Sequence, residues 1–176
     1  EINNSQISQN PATGRNPAYL FWDDAGQIYI NNYYGPGSPT YASPMFIKST
    51  VAAAIINVFG SGTNSDTDIP AIWLYTTAAD AIINVYSGKV GIGYEEKYGA
   101  VAANLATLTV ESGANVYLGT CTVVNIYNNG GTVVRNNRGE YMTIYRQNSG
   151  TFFGYGSCTT TTIDGGSYVA YGDYTA

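Results

Sequence analysis

The 176-residue chain has no histidine, little charge and no long apolar run, and each absence excludes a class of function. Without histidine it lacks Ser–His and Cys–His nucleophile pairs and the commonest metal ligand. Charged residues make up 11% of the chain, well below the level of an ordinary soluble domain, which is roughly 25%. The net charge of −5 argues against a nucleic-acid partner, because phosphate binding needs several lysines or arginines on one face. No stretch approaches the roughly 18 apolar residues of a membrane-spanning helix.

Positive charge is locally concentrated at Arg135, Arg138 and Arg146. Spaced charges of this kind are typical of a solvated surface, so the pattern predicts that they keep the chain soluble rather than bind phosphate. We therefore expect neither nucleic acid nor a membrane among the partners.

The residues that are abundant suit strands and tight turns. Glycine (21 residues) and tyrosine (17 residues) are accompanied by many threonine, asparagine, valine and isoleucine residues. β-Branched and aromatic side chains favour a pleated, half-buried surface, while glycine and asparagine favour turns. The composition predicts an all-β fold.

A short segment occurs twice, as AIINVFGSG at 54–62 and AIINVYSGK at 81–89. The central part of each copy alternates apolar, polar, apolar. The same alternation occurs in seven places: 28–30, 56–58, 83–85, 108–110, 124–126, 142–144 and 161–163. Most copies are followed by a turn containing glycine and by a second short apolar stretch. The repeating unit is therefore a strand, a glycine turn, a second strand and a longer connection.

Two arrangements could use such a unit. Antiparallel hairpins would pair each unit with itself, and the DGG turn at 164–166 fits that arrangement. A parallel β-helix would instead stack equivalent positions of successive units, so the same chemistry should recur at the same offset. It does recur, because the middle residue of each triplet is Tyr29, Asn57, Asn84, Thr109, Asn125, Thr143 or Thr162.

This recurrence favours an all-β parallel β-helix, or solenoid, of about seven irregular coils. Strand side chains alternate between faces, so the Ile and Val of each triplet should point inward. The middle residues should then form an outward Asn/Thr ladder. The residues after four of the triplets should form an outward aromatic column, consisting of Phe59, Tyr86, Tyr127 and Tyr145. We regard this column as a candidate subunit or glycan contact, the alternative being that the rings only stiffen the coils.

The spacing between triplets divides the chain into three parts. Residues 1–18 show no repeat and are expected to be an N-terminal arm or an incomplete coil. Residues 19–106 have long spacings and should form wide coils with loop excursions. Residues 107–176 have short spacings and should form slender coils, so the solenoid is expected to be wider at its N-terminal end.

Carboxylates are the remaining candidates for chemistry, because glycoside hydrolysis needs two of them across a cleft. The acids that share a loop or strand region are Asp66 with Asp68, Glu95 with Glu96, and Asp23 with Asp24. Adjacent acids in polar loops are usually solvated, and SDTD at 65–68 lacks the spacing of a calcium loop. The sequence therefore predicts no catalytic residue, no metal site and no cofactor.

Cys121 and Cys158 each follow a glycine by two residues, which places them at the same corner of their units. If the units are stacked coils, one coil lies between them and their Cα atoms should be roughly 9 to 10 Å apart. A disulfide requires less than about 7 Å. We therefore predict two free thiols.

Residues 47–119 resemble a group of bacteriophage and prophage virion proteins. The shared elements are NVFGSG at 57–62, PAIWL at 70–74 and NVYSGKVGIG at 84–93, followed by short coils rich in Thr, Val and Gly. The resemblance implies a non-enzymatic structural role on the outer surface of a phage particle, as a capsid decoration or a fibre that could attach to surfaces. It carries no active-site motif.

This role implies several partners. They are further copies of the chain, with a trimer favoured, the major capsid protein or other virion proteins, and host-surface glycans. Two alternatives stay open at this point. One is a tailspike-like protein that binds or degrades glycans, and the other is a secreted bacterial adhesin, which would require an export signal.

Overall fold

The computed structural model describes the chain as strands and turns, which confirms the all-β class. It describes residues 2–3, 19–22, 27–31, 45–49, 52–60, 70, 72–76, 79–93, 103–135, 142–155 and 158–171. The thirteen strands are β1 (Ile2–Asn3), β2 (Tyr19–Trp22), β3 (Gln27–Asn31), β4 (Met45–Ser49), β5 (Ile55–Phe59), β6 (Ile72–Thr76), β7 (Ile82–Ile92), β8 (Ala103–Val110), β9 (Ala114–Leu118), β10 (Cys121–Arg135), β11 (Met142–Tyr155), β12 (Cys158–Ile163) and β13 (Ser167–Tyr171).

Every pairing between these strands is parallel. The turn at 164–166, which fitted a hairpin, joins β12 to β13. These two strands do not pair with each other, because β12 pairs with the first part of β11 and β13 with its second part. The hairpin arrangement is therefore wrong for this turn.

The strands form two stacks in which each strand pairs with its equivalent in the next unit. The first stack contains β1, β3, β5, the first part of β7, β8, and the first parts of β10 and β11, and it ends at β12. The second contains β2, β4, β6, the second part of β7, β9, and the second parts of β10 and β11, and it ends at β13. The long strands β7, β10 and β11 thus pass from one stack to the other.

The core lies along the inward side of both stacks. Matched residues of the first stack that are fully buried are Ile56, Ile83, Leu108, Ile126 and Tyr145. Those of the second stack are Ile72, Val90, Val116, Val133 and Phe152. Burial of one apolar side chain on the next is the main stabilising term, at about 1.5–3 kcal/mol for each large aliphatic side chain.

The register of the triplets is confirmed for the first four copies and wrong for two of the last three. Ile28, Ile56, Ile83 and Leu108 follow one another in register, as expected. Leu108, however, pairs with Ile126, and Ile126 pairs with Tyr145. The matched segments are therefore 126–128 and 145–147, and the triplets 124–126 and 142–144 are displaced from them by two and three residues.

An interruption in the alternation of buried positions explains the displacement. Along β8, β10 and β11 the buried positions are interrupted by two residues instead of one, between Leu105 and Leu108, Val123 and Ile126, and Met142 and Tyr145. Strict alternation assigned Val124 and Ile144 to the interior, whereas both are exposed.

Both cysteines are free thiols, as predicted. Their positions differ slightly from the expected ones, because Cys158 pairs with Met142 and Met142 pairs with Val123. Cys158 therefore lies two strands away from Cys121 and two residues further along. Two strand spacings amount to about 9.6 Å, which is too far for a disulfide.

The N-terminal segment contains one described strand. β1 extends the first stack, since Ile2 pairs with Ile30 and Asn3 with Asn31.

Candidate functional site

Three aromatic rings form an exposed ladder on the first stack, which we call the aromatic ladder: Tyr29, Phe59 and Tyr86. The rings of Phe59 and Tyr86 are stacked with centroids 4.5 Å apart and planes 4° apart. Those of Tyr29 and Phe59 are 6.3 Å and 15° apart. All three side chains are about two-fifths exposed. Their strands β3, β5 and β7 are neighbours, but the rings meet diagonally, because Tyr29 pairs in register with Asn57 and Phe59 with Ser87.

The predicted aromatic column is thus correct for Phe59 and Tyr86 but does not continue to Tyr145. Tyr145 is fully buried in the core, because two exposed residues instead of one separate it from the buried Met142. Tyr127 is half-buried and pairs in register with Arg146. Tyr29, which was assigned to the Asn/Thr ladder, is the third member of the aromatic ladder.

The geometry of the aromatic ladder favours mutual stacking over a sugar platform. Sugars stack on the flat face of an aromatic ring, and both faces of Phe59 are directed at neighbouring rings. The part of Phe59 that solvent reaches is therefore mainly its edge. Stacked pairs of this kind contribute about 0.5–1.5 kcal/mol beyond their buried area.

We predict that Phe59→Ala lowers the free energy of unfolding by about 1–2 kcal/mol, because it removes two ring contacts from the ladder. Chemical denaturation followed by circular dichroism measures the change. Phe59→Tyr retains both stacking contacts and is the control. An unchanged denaturation midpoint for Phe59→Ala would contradict the stiffening role. It would favour a subunit or glycan contact as the role of the aromatic ladder.

The Asn/Thr ladder predicted beside these rings is present in part. Asn57 and Asn84 are paired in register, and the Asn84 amide Nδ2 donates a hydrogen bond to Asn57 Oδ1 at 3.0 Å. Asn57 is only 4% exposed, so the expectation that this ladder lies wholly outside is wrong for it. The matched positions continue through Thr109 to Tyr127 and Arg146 rather than to Asn125 and Thr143.

A buried polar network lies beside the apolar core in β10 and β11. Val110 is followed in register by Asn128, and Asn128 by Gln147, and both amides are fully buried. Asn128 Nδ2 donates to the Tyr145 hydroxyl at 3.3 Å, and this hydroxyl donates to Gln147 Oε1 at 2.8 Å. Burial raises the pKa of Tyr145 well above its usual value, and the hydrogen bond from Asn128 opposes that rise. The hydroxyl therefore stays protonated and keeps donating.

The two amides hold the turns that connect the stacks. Asn128 Oδ1 accepts hydrogen bonds from the backbone N–H groups of Gly130 and Gly131, at 3.3 and 3.0 Å. Gln147 Nε2 donates to the carbonyl of Gly165 at 2.8 Å. It also lies 3.3 Å from the carbonyls of Gly150 and Ser167. Backbone groups that no strand partner satisfies are thereby paired inside the protein.

Sequence reasoning missed this network, because buried polar side chains violate the alternation used to find the strands. A usable signal was present in the turns. An amide residue precedes glycine by two positions at Asn128-Asn129-Gly130 and by three at Gln147-Asn148-Ser149-Gly150. Side-chain amides at such positions are well suited to bonding the turn backbone.

Arg135 was predicted to be a solubilising surface charge, and this is wrong. It lies at the end of β10, between Leu118 and Gly154 in register, and it is almost completely buried. Arg146 is exposed, as expected, and Arg138 lies outside the described residues.

Burial also affects the nearby thiol. Desolvation raises the pKa of Cys158, while a hydrogen bond with Thr161 and the charge of Arg135 act in the opposite direction. The net rise keeps the sulfur in its thiol form, which is the less nucleophilic form.

The described carboxylates are Asp80, Glu111 and Asp164, and each lies in a different turn. Glu111 Oε1 accepts a hydrogen bond from Asn129 Nδ2 at 2.8 Å, and Asn148 Nδ2 donates to Asn129 Oδ1 at 2.8 Å. Within the described ranges, no group of three or more potential ligands could hold a metal ion. The acid pairs 23–24, 66 with 68, and 95–96, and the candidate calcium loop at 65–68, lie outside the described residues.

Comparison with known protein families, with curated proteins and with solved structures finds no match to this chain. In the part of the chain that the structure describes, no helix has the length and apolar character needed to cross a lipid bilayer.

Proposed function

We propose that the chain is a parallel β-solenoid that serves as a non-enzymatic structural component of a phage virion. In this proposal it lies on the outer surface of the particle, as a capsid decoration or as part of a fibre. The observation that supports it most strongly is the parallel pairing that continues through both strand stacks, from β1 to β12 and from β2 to β13. Repetition of this kind builds an elongated, regular body.

The internal contacts of the chain suit a load-bearing role. Each coil is held by its neighbours through backbone ladders, buried apolar columns and the amide network of Asn128 and Gln147. Stability of such a stack is approximately a sum of coil and nearest-neighbour terms, so it does not depend on a large globular core. The described side chains are used for cohesion, and Cys158 is held in its less reactive thiol form.

The virion location rests on the sequence resemblance of residues 47–119 to phage and prophage virion proteins. The proposed partners are other copies of the chain, as a trimer, and the major capsid protein or other virion proteins. Host-surface glycans are a further proposed contact through the aromatic ladder, although the stacking of Phe59 between two rings favours cohesion there. Nucleic acid and membranes have no place in the proposal.

Electron microscopy of intact particles tests the proposed location. Gold-labelled antibody raised against the purified chain should decorate the outside of particles isolated from the source strain, at the head or along a fibre. Labelling that is absent from particles and present on bacterial cell surfaces would contradict the proposal and support the adhesin alternative.

A digestion assay tests the non-enzymatic part separately. The purified chain is incubated with surface polysaccharide of the host, and new reducing ends are measured. We expect none above the level of a heat-denatured sample. Release of oligosaccharides would overturn the proposal in favour of a tailspike-like enzyme.

A further inference from the structure

One continuous column of matched positions runs along the second stack. Its members are matched in register from strand to strand over the whole stack: Tyr19, Phe46, Trp73, Gly91, Tyr117, Val134, Phe153 and Val169. All but Gly91 are aromatic or valine. Neither the repeat nor the composition of the chain identified this column.

The C-terminal half of the column is partly exposed. Along β9, β10 and β11 the residues that flank it, such as Phe152 and Gly154 beside Phe153, are buried, so the column faces outward there. Phe153 is 43% exposed and Val169 is 42% exposed. Tyr117 and Val134 are half-buried. An aligned row of large apolar side chains is unusual on a free surface, where such residues are normally scattered singly.

The same face carries no charge over four strands. We call this area the neutral face, and it consists of the outward residues of β9, the second part of β10, the second part of β11, and β13. Beside the apolar column lies a polar uncharged column, made of Asn115, Thr132, Thr151 and Ser167. The charge nearest in this register is Lys89, one strand before Asn115, whose Nζ lies 5.0 Å from the centre of the Tyr117 ring.

We propose that the neutral face is the contact through which the chain binds further copies of itself. A partner that matches a column with a repeat of about 4.8 Å must carry the same repeat, and a second copy does so. Association with parallel axes brings each level against the same level of its neighbour, so any charged residue would meet its own charge. A face built for this contact must therefore be uncharged, and this one is, in a chain of net charge −5.

Closed symmetry is the usual outcome for identical subunits, and a cyclic trimer would use this face on every copy.

The test is a charge placed in the centre of the neutral face. Phe153→Asp puts a carboxylate at one level of every copy, and Val169→Asp does so one strand further on. The control is Ile144→Asp, because Ile144 lies on the same strand β11, is similarly exposed at 39%, and belongs to the first stack. Analytical ultracentrifugation measures the mass of each protein over a range of concentrations, and circular dichroism verifies that each is folded.

We expect the unmodified chain and Ile144→Asp to sediment as the same oligomer, with a mass two or three times 18.8 kDa. Phe153→Asp and Val169→Asp should raise the dissociation constant by at least about thirtyfold, as expected for a residue at the centre of an interface. An unmodified chain that stays monomeric would overturn the proposal. So would folded Phe153→Asp and Val169→Asp proteins that associate as tightly as Ile144→Asp.

The inference rests on the proposed structural role, because a solenoid that assembles needs a surface for assembly. Its failure is nevertheless distinguishable from failure of that role. A monomeric chain could still coat a particle, as the antibody labelling would show, whereas an enzyme or adhesin could still form the oligomer.

Discussion

Gln147→Glu is expected to lower the free energy of unfolding by about 3–5 kcal/mol at neutral pH. The new side chain has nearly the same shape, but it replaces the Nε2 donor by a carboxylate oxygen. That oxygen would face the carbonyls of Gly165, Gly150 and Ser167, which the native amide approaches as a donor. The position is fully buried, so water cannot compensate for the lost hydrogen bonds.

The stability of Gln147→Glu should also depend on pH. Burial raises the pKa of a carboxyl group, so the folded variant would bind its proton more tightly than the unfolded chain does. The loss of stability should then grow as the pH rises through the unfolded pKa, which is about 4.3. It should level off above the raised pKa of the folded state. Urea denaturation at a series of pH values, compared with the unmodified chain, measures this.

Asn148→Asp is the matched control for Gln147→Glu. It makes the same amide-to-carboxylate change at the next residue, where the side chain is exposed and hydrogen bonds to Asn129. We expect its stability to stay within about 0.5 kcal/mol of the unmodified chain. Equal effects of the two substitutions would contradict the assignment of Gln147 as the internal support of the turns.

Gly150→Ala is expected to destabilise the chain by about 3 kcal/mol or more, for reasons of backbone conformation and space. Gly150 has φ +86°, a backbone conformation that residues other than glycine rarely adopt. A Cβ atom there would also collide with the backbone carbonyl oxygen of Gly131, which belongs to β10, the strand that pairs with β11. Relief of this clash would require β10 and β11 to separate at the turn.

Gly113→Ala separates the two causes. Gly113 has almost the same conformation, with φ +90°, but nothing lies within 4 Å of where its Cβ atom would be. It should therefore cost only the conformational strain, roughly 1–2 kcal/mol. Thermal denaturation of both variants gives the comparison. If Gly113→Ala were as harmful as Gly150→Ala, close stacking of the coils at the turn would not be the cause.

The sequence alone was sufficient for the all-β class and for the register of the first four triplets. Among them, 56–58 and 83–85 alternate strictly, and alternation is what sequence reasoning detects. The free thiols also followed, because a stack places Cys121 and Cys158 too far apart to bond.

Prediction failed where the interior stops being apolar. Asn128, Gln147 and Arg135 are buried polar residues, and a rule that assigns polar side chains to the surface places them on the wrong side. Tyr145 was misplaced for a related reason, since the two exposed residues before it shift the alternation by one residue. The neutral face was missed because its column depends on the pairing of separate segments, such as Tyr117 with Val134. The sequence does not show this pairing, whereas the folded structure does.

The proposed solenoid stacks parallel coils on one another, and a distance between two levels tests this arrangement most directly. Lys89 and Ser167 occupy one column, joined in register through Asn115, Thr132 and Thr151. Spin labels are attached at cysteines introduced at positions 89 and 167, in a chain with Cys121→Ser and Cys158→Ser. The labelled chain is diluted with unlabelled chain so that only distances within one chain are measured.

Four strand spacings separate the two labels, so electron paramagnetic resonance should give one narrow distribution centred at about 19 Å along the stack. A broad distribution, or a centre beyond about 30 Å, would contradict the stacked register of these strands.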